Sequence, residues 1–283
     1  MRDLSKDHRW LSINTATVRK QGDLLQIMEA CARLGIRGLS PWRDQVSHVG
    51  LNRAVAAVKA GGFELSGYCR GGFFASDEAR HAEVRDDNRR AVDEAKALGA
   101  ACLVLVVGGL PQFARPGSAP TKNLYATHAQ VEDRLGELLE YARPAGVPLG
   151  LEPLHPMYAA DRSVLNTIGQ SLEIASTYEP NEVGVILDTF HIWWDPQVAA
   201  LIAQAAGRIF GFHVSDWLVP LPDVLLGRGL MGDGVIDNRK LRALVEKAGY
   251  DGPIEVEIFN RTLWDADPDT VLAQVIERFE KFV

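Results

Sequence analysis

Residues 183–191 read VGVILDTFH, an apolar run of strand length that leads into an aspartate. Three further runs in the second half of the chain have the same form: VPLGLEPLH at 147–155, RIFGFHVSD at 208–216 and GPIEVEIFN at 252–260. Short runs rich in Val, Ile, Leu and Phe are typical of parallel strands that are buried on both faces. Near its C-terminal end, each run carries one side chain that is able to bind a metal ion. These side chains are Glu152, Asp188, His213 and Glu257.

The same strand pattern recurs through the rest of the chain. Six times a helical pattern ends on a glycine and an apolar run follows within a few residues; the glycines are Gly35, Gly61, Gly99, Gly146, Gly207 and Gly249. Glycine suits this place because it adopts the left-handed conformation that closes a helix. Two more strands, at 11–17 and 183–189, bring the number of predicted strands to eight. This alternation predicts an α/β fold, a (β/α)8 TIM barrel, and we expect a single TIM-barrel domain over residues 1–283.

An open doubly wound sheet is the main competing architecture, because it shows the same alternation of strands and helices. Its dinucleotide-binding fingerprint is expected directly after the first strand. Gly227, Gly229 and Gly232 do form GxGxxG, but they follow a loop that contains two prolines, and they open no immediate helix. The fingerprint carries weight only between a strand and a helix, so the sequence favours the barrel.

Four aspartates are predicted to start helices by accepting hydrogen bonds from the free N–H groups of the first turn. They are Asp23, Asp195, Asp237 and Asp267. The second and the fourth of them precede a proline, which suits the first helical position because proline has no N–H to leave unpaired.

Composition and charge argue against several classes of partner. The formal net charge is −7, from 30 basic and 37 acidic residues, whereas nucleic-acid sites usually show a basic face. The start, MRDLSKDHRW, lacks the apolar segment of a signal peptide, and the longest apolar stretch, near 100–110, is too short to span a bilayer. Three widely spaced cysteines, Cys31, Cys69 and Cys102, suit reduced thiols. We therefore expect a cytoplasmic protein with neither a nucleic-acid nor a membrane partner.

The four candidate ligands are expected to meet, because the C-terminal ends of barrel strands converge on one mouth. Taken singly, each could instead cap a helix or fill a corner of the core. Buried acids are rare unless they are paired or coordinated, so three acids and one histidine on four consecutive strands favour a divalent metal. Three carboxylates and one imidazole form a hard, oxygen-rich set that suits Mn²⁺ best, with Mg²⁺, Co²⁺ or Zn²⁺ as alternatives. An octahedral ion would keep two positions for a substrate hydroxyl and carbonyl.

Other polar side chains lie close in sequence to the candidate ligands. His155, His191 and Arg228 could contact substrate oxygens, and Asp216 could hold the His213 ring. Each of these could equally be an ordinary loop residue. Arg70, just past the third strand, could bind a hydroxyl, a carboxylate, a phosphate or only water. Aromatic residues near the predicted mouth could line a sugar site or simply pack: Trp42, Tyr68, Phe73, Trp193, Trp194 and Trp217.

With these residues in place, the chain resembles the xylose isomerase-like TIM barrel superfamily, which holds sugar phosphate isomerases and epimerases, inosose dehydratases and apurinic endonucleases. The resemblance covers essentially the whole length. The motifs that carry it are LEPLH at 151–155, LDTFH at 187–191, FHVSD at 212–216, GDGVID at 232–237 and EVEIF at 255–259.

The resemblance implies roles for individual residues. Glu152, Asp188, His213 and Glu257 would bind the metal, and His191 and Arg228 would contact substrate oxygens. Glu152 and Glu257 would also move protons. Family members are often dimers or tetramers, so a homo-oligomer is compatible with the resemblance. The DNA-repair branch needs further metal-binding histidines, but the corresponding regions here contain Cys69-Arg70-Gly71, Gly108-Gly109 and Leu226-Gly227-Arg228. Nuclease activity is therefore not expected.

Three functional hypotheses remain at this point. The leading one is a metal-dependent isomerase or epimerase that moves a proton next to the carbonyl of a ketose or related sugar. The alternative is a metal-dependent lyase or dehydratase acting on a keto-inositol or a 3-keto-sugar, with His155 or His191 as the general acid. The third is a sugar-binding barrel without turnover.

Overall fold

A computed structural model describes residues 1–111 and 121–283. Numbered in chain order, its strands are β1 (Leu11–Asn14), β2 (Gly38–Ser40), β3 (Glu64–Leu65), β4 (Tyr68–Gly72), β5 (Leu103–Val106), β6 (Leu149–Leu151), β7 (Val183–Asp188), β8 (Ile209–Val214), β9 (Asp216–Trp217), β10 (Arg228–Gly229) and β11 (Ile254–Val256). All of them except β9 and β10 form one parallel sheet in the order β3-β2-β1-β11-β8-β7-β6-β5-β4.

Helices follow most strands and cover the outside of the sheet. They are α1 (Leu24–Arg33), α2 (Arg43–Val49), α3 (Leu51–Gly61), α4 (His81–Leu98), α5 (Leu124–Ala145), α6 (Ile168–Ala175), α7 (Thr189–Ile192), α8 (Val198–Gln204), α9 (Asn238–Lys247), α10 (Arg261–Trp264) and α11 (Pro268–Phe282). Short 3₁₀ helices occur at Thr15–Val18, Glu78–Arg80 and Pro156–Tyr158. Among the described residues, no helix is both long enough and apolar enough to cross a membrane.

The sheet curls into a nearly closed barrel. The barrel has eight strand positions, because β3 and β4 together occupy the third position. β3 pairs with β2, whereas β4 pairs with β5. The gap is bridged where the Cys69 N–H donates to the carbonyl oxygen of Pro41 at 3.0 Å. The prediction of a TIM barrel is therefore confirmed. The apolar run FELSGYC at 63–69, which the sequence pattern predicts as the third strand, is not one continuous strand.

The floor of the barrel beneath the mouth is filled by one large side chain and two glycines. A Cβ on Gly150 would lie 2.6 Å from Ile186 Cδ1, and a Cβ on Gly211 would lie 3.0 Å from the same atom. Ile186 is fully buried and packs with Cys69, Cys102 and Val104. Small residues on two strands thus make room for a bulky residue on the strand between them.

The predicted helix ends agree with the structure at most positions. Five of the six glycines have a positive φ, but Gly61 is the last residue of α3, and Gly62 (φ 62°) closes that helix instead. Asp23, Asp237 and Asp267 cap their helices as predicted. Asp195 does not: its carboxylate accepts from the Gln197 N–H in a turn, and α8 begins only at Val198.

Two other sequence predictions have clear outcomes. The three cysteines are free and buried, as expected for reduced thiols. Within GxGxxG, Arg228–Gly229 is a strand that pairs antiparallel with β9, so this segment does not open a helix.

Candidate metal centre and active site

The structure brings the four predicted ligands together at the C-terminal mouth of the barrel. Glu152 follows β6, Asp188 ends β7, His213 lies in β8 and Glu257 follows β11. Each offers one ligand atom, these atoms all lie within 4.8 Å of one another, and all four residues are buried. Four neighbouring strands thus supply the cluster.

Two of the buried ligand atoms have no hydrogen-bond partner in the part of the chain that the structure describes: Glu152 Oε1 and His213 Nδ1. They lie 3.7 Å apart, and His213 Nδ1 lies 3.5 Å from Glu257 Oε2. A buried polar atom without a partner lowers the stability of the folded protein, so we expect a further partner for these two atoms. A cation held about 2.0–2.4 Å from each ligand atom fits a cluster of this span.

Arg228 fixes two of the ligand carboxylates. Its Nη1 donates to Asp188 Oδ2 at 2.7 Å and to Glu257 Oε2 at 3.3 Å, and it also reaches the Glu257 carbonyl oxygen at 3.0 Å. The guanidinium carbon lies 4.7 Å from the Phe190 ring centroid and 5.3 Å from that of Phe259. The contact between Arg228 and substrate stays a prediction, and the structure shows that this side chain supports two of the predicted ligands.

Glu255 lies against the other nitrogen of the His213 ring, and sequence reasoning missed it. Glu255 Oε2 lies 3.5 Å from His213 Nε2, whereas the Nδ1 atom faces Glu152 and Glu257. Residues two apart on a strand share a face, so the EVE pattern could have placed Glu255 inside the barrel beside Glu257. Asp216 was the predicted partner of the ring, and that prediction is wrong. Its carboxylate accepts from the N–H groups of Gly232 and Ile236 and so holds the loop after β10.

Asn14 is the second residue that sequence reasoning missed. Its Nδ2 donates to Glu255 Oε1 at 2.7 Å and to Glu257 Oε1 at 3.0 Å, while its Oδ1 accepts from Trp42 Nε1 at 2.7 Å. The side chain therefore links the two glutamates to the opposite side of the mouth. Its position at the end of β1 was the available signal, because all the ligands also sit at strand ends.

The close packing of charges shifts the pKa values of the cluster. Burial and the charge of Glu257 raise the pKa of Glu152 to about 8. Burial also acts on Glu257, but the neighbouring His213 and Arg228 outweigh it and hold the pKa of that carboxyl at about 2. Burial alone would lower the pKa of His213, whereas the surrounding glutamates raise it to about 10. A divalent cation would take over the charge balance that a proton on His213 supplies.

His191 and His155 occupy different positions. His191 lines the cavity above the ligands, and its Nε2 lies 3.1 Å from Arg228 Nη2. Burial, followed by the charge of Arg228, lowers the pKa of His191 far below its usual value and keeps the ring neutral. The His155 ring accepts from the Met157 N–H and packs against Trp217, with the ring centroids 4.8 Å apart. A contact between His155 and substrate stays a prediction.

The ligands open into a cavity of about 220 Å³. Its lining combines the cluster with arginines and apolar side chains: Arg19, Trp42, Cys69, Arg70, Val104, Val106, Glu152, Leu154, Tyr158, Arg162, His191, Leu225, Arg228, Glu257 and Phe259. Trp42 is the one predicted aromatic in this lining. Tyr68 is buried and donates to Glu94, and Trp193 and Trp217 pack on each other.

Comparison with known proteins agrees with this architecture. The crystal structure of protein SMc04130 from Sinorhizobium meliloti 1021 has 47% sequence identity and a TM-score of 0.93, with 98% of this chain and 99% of that one covered. A crystal structure of the IolI protein with a bound zinc atom has 21% identity and a TM-score of 0.81, with 96% and 99% covered. The second likeness is one of fold.

Among curated proteins, the inosose isomerase of Halalkalibacterium halodurans (strain C-125) is 30% identical over 133 residues, which cover 44% of this chain and 44% of that protein. The chain thus spans about half the length of that relative. The model of the xylose isomerase-like TIM barrel family matches residues 28–282. This match covers nearly the whole chain, and the chain belongs to the xylose isomerase-like TIM barrel family.

Proposed function

We propose that this protein is a divalent-metal-dependent isomerase or epimerase that moves a proton next to the carbonyl of a ketose or a related sugar. The observation that carries the proposal is the buried cluster of Glu152, Asp188, His213 and Glu257, in which two ligand atoms have no other partner among the described residues. The name of the Halalkalibacterium relative, inosose isomerase, supports both the reaction and the class of substrate.

The donor set favours Mn²⁺. Carboxylate oxygens are hard ligands, and a set of three with one imidazole suits Mn²⁺, Mg²⁺ or Co²⁺, while the zinc atom in the IolI structure keeps Zn²⁺ as an alternative. When bound, such an ion would polarise the substrate carbonyl and make the neighbouring C–H bond more acidic.

Proton movement falls to Glu152 and Glu257, which both line the cavity. Glu257 is held on both oxygens, by Asn14 on one and by Arg228 on the other, so its orientation is fixed. Glu152 keeps a buried oxygen without a partner in the described part of the chain. One carboxylate removes a proton beside the carbonyl, and the other returns a proton to the neighbouring carbon or to the opposite face. A positioned acid or base contributes roughly 10²- to 10⁴-fold to the rate.

His191 and Arg228 would orient the substrate. Both line the cavity, and because Nδ1 of the neutral His191 ring accepts from the His155 N–H, Nε2 is the ring atom that would contact a hydroxyl group. Arg228 Nη2 lies 3.1 Å from His191 Nε2, so polar atoms of the two side chains lie next to each other in the cavity. We propose that they hold the oxygens next to the reacting carbon.

The test is conversion of a panel of ketoses and keto-inositols, followed by NMR, with protein loaded with Mn²⁺ and with protein stripped by a chelator. We expect a rearranged sugar only with the loaded protein. An unsaturated product would replace the isomerase proposal by the lyase alternative. Equal conversion after complete removal of the metal would rule out a metal-dependent reaction.

A further inference from the structure

The cavity has two unlike sides. The ligands come from β6, β7, β8 and β11, which are neighbours in the sheet. The other side is built from the segments after β1 and β2 and from β4, and it carries Arg19, Trp42 and Arg70. Arg162, from the segment between β6 and α6, adds another positive charge to the lining.

Arg70 differs from Arg19 and Arg228 of the same cavity because no acceptor contacts it among the described residues. Within residues 1–111 and 121–283, its guanidinium makes no hydrogen bond and has no carboxylate oxygen within 4.0 Å. Arg228, by contrast, is bound to Asp188 at 2.7 Å, and Arg19 is paired with Asp44. Five N–H donors of a largely enclosed guanidinium thus remain available to a ligand.

Aromatic rings cover the faces of this guanidinium. The Arg70 Cζ atom lies 4.5 Å from the centroid of the Phe73 ring and 5.5 Å from that of Trp42. Phe73 holds its place with a φ of 54°, a left-handed conformation that is unfavourable for a bulky residue. The two rings contact the guanidinium without taking up its N–H groups, and the N–H edge of a guanidinium matches the two oxygens of a carboxylate or phosphate.

Charges of both signs act on Arg70. Burial lowers the pKa of Arg70 below its usual value, the negative charge of Glu152 opposes this shift, and the positive charge of Arg162 adds to it to a smaller extent. An oxyanion between the two arginines would relieve both the repulsion and the loss of hydration.

Resting on the proposed function, we propose that the substrate is an acidic sugar derivative whose carboxylate or phosphate group binds to Arg70, with Arg162 adding positive charge. The carbonyl end of such a substrate lies at the carboxylate cluster, and its anionic end lies on the arginine side of the cavity. If Arg70 only offsets the charge of Glu152 across the cavity, a neutral sugar binds as well as an acidic one.

The test is calorimetric binding to the Mn²⁺-loaded protein of three related ketoses: neutral D-fructose, its carboxylate analogue D-fructuronate, and D-fructose 6-phosphate. We expect one of the two acidic sugars to bind roughly tenfold to hundredfold more tightly than fructose, because charge-assisted hydrogen bonds add to affinity. The acidic sugar that gains affinity identifies the anionic group. The gain should shrink as the salt concentration rises.

The variant Arg70→Met should lose this preference, and Arg162→Gln should reduce it. Arg53→Met is the matched control, because Arg53 is exposed on α3. Equal binding of the three sugars by the wild type, or an unchanged preference in Arg70→Met, would refute the proposal. Calorimetry measures binding and does not depend on turnover. A protein that binds an acidic sugar more tightly but converts none of the sugars would contradict the proposed reaction and still support this inference.

Discussion

Glu255 lies in β11 and Glu257 directly follows that strand, yet their contacts differ. Glu257 presents Oε2 to Arg228 and His213 within the ligand cluster, whereas Glu255 lies against the opposite nitrogen of the His213 ring. Asn14 donates to both of them. A carboxylate behind a ligating imidazole fixes its orientation and makes the facing nitrogen a better ligand. At the scale of single residues, Glu255 is therefore a positioning residue for His213.

Replacing Glu255 with Gln should weaken Mn²⁺ binding by about 10- to 100-fold, because the amide keeps the shape but removes the charge behind His213. The affinity is measured by titration of the metal-free protein with Mn²⁺, and circular dichroism checks that the variant is folded. Glu64→Gln, at an exposed position on β3, is the control that should bind Mn²⁺ like the wild type. An unchanged affinity in Glu255→Gln would show that the contact is only structural.

At the scale of elements, identical local signals had different outcomes. Asp195 and Asp267 both precede a proline, but only Asp267 caps a helix, by accepting from the Thr270 N–H. The short α8 starts three residues after Asp195, so the aspartate closes a turn instead. Asp23 forms a full capping box with Gln26. A dipeptide signal predicts that the chain turns, but the tertiary packing decides where the helix starts.

The helix caps give a stability prediction. Asp23→Ala should lower the free energy of unfolding by about 0.5–2 kcal/mol, because two N–H groups of α1 lose their acceptor. Asp195→Ala removes a single turn hydrogen bond and should cost less. Both values come from urea denaturation of the two variants and the wild type in parallel. Equal losses would mean that Asp195 acts as a cap after all.

At the scale of the whole molecule, the barrel and the four ligands were predictable from the sequence, and the contacts between them were not. Strand patterns and strand ends are local, so Glu152 and Asp188 could be placed at the mouth without a structure. Glu255 lies beside His213 because of the register in which β11 pairs with β8, and no local sequence pattern predicts that register. The strand end of β1 could have placed Asn14 at the mouth, but its contacts with the two glutamates depend on the pairing of β1 with β11.

The central claim is that the cluster moves a proton beside a carbonyl, and solvent deuterium exchange tests it most directly. A ketose that the protein converts is incubated in D₂O with Mn²⁺-loaded wild type, Glu152→Gln and Glu257→Gln, and NMR follows the C–H positions next to the carbonyl. We predict deuterium at one carbon with the wild type and a loss of roughly 10²-fold or more in the exchange rate with each variant. Wild-type conversion without deuterium incorporation, together with unimpaired variants, would contradict the account.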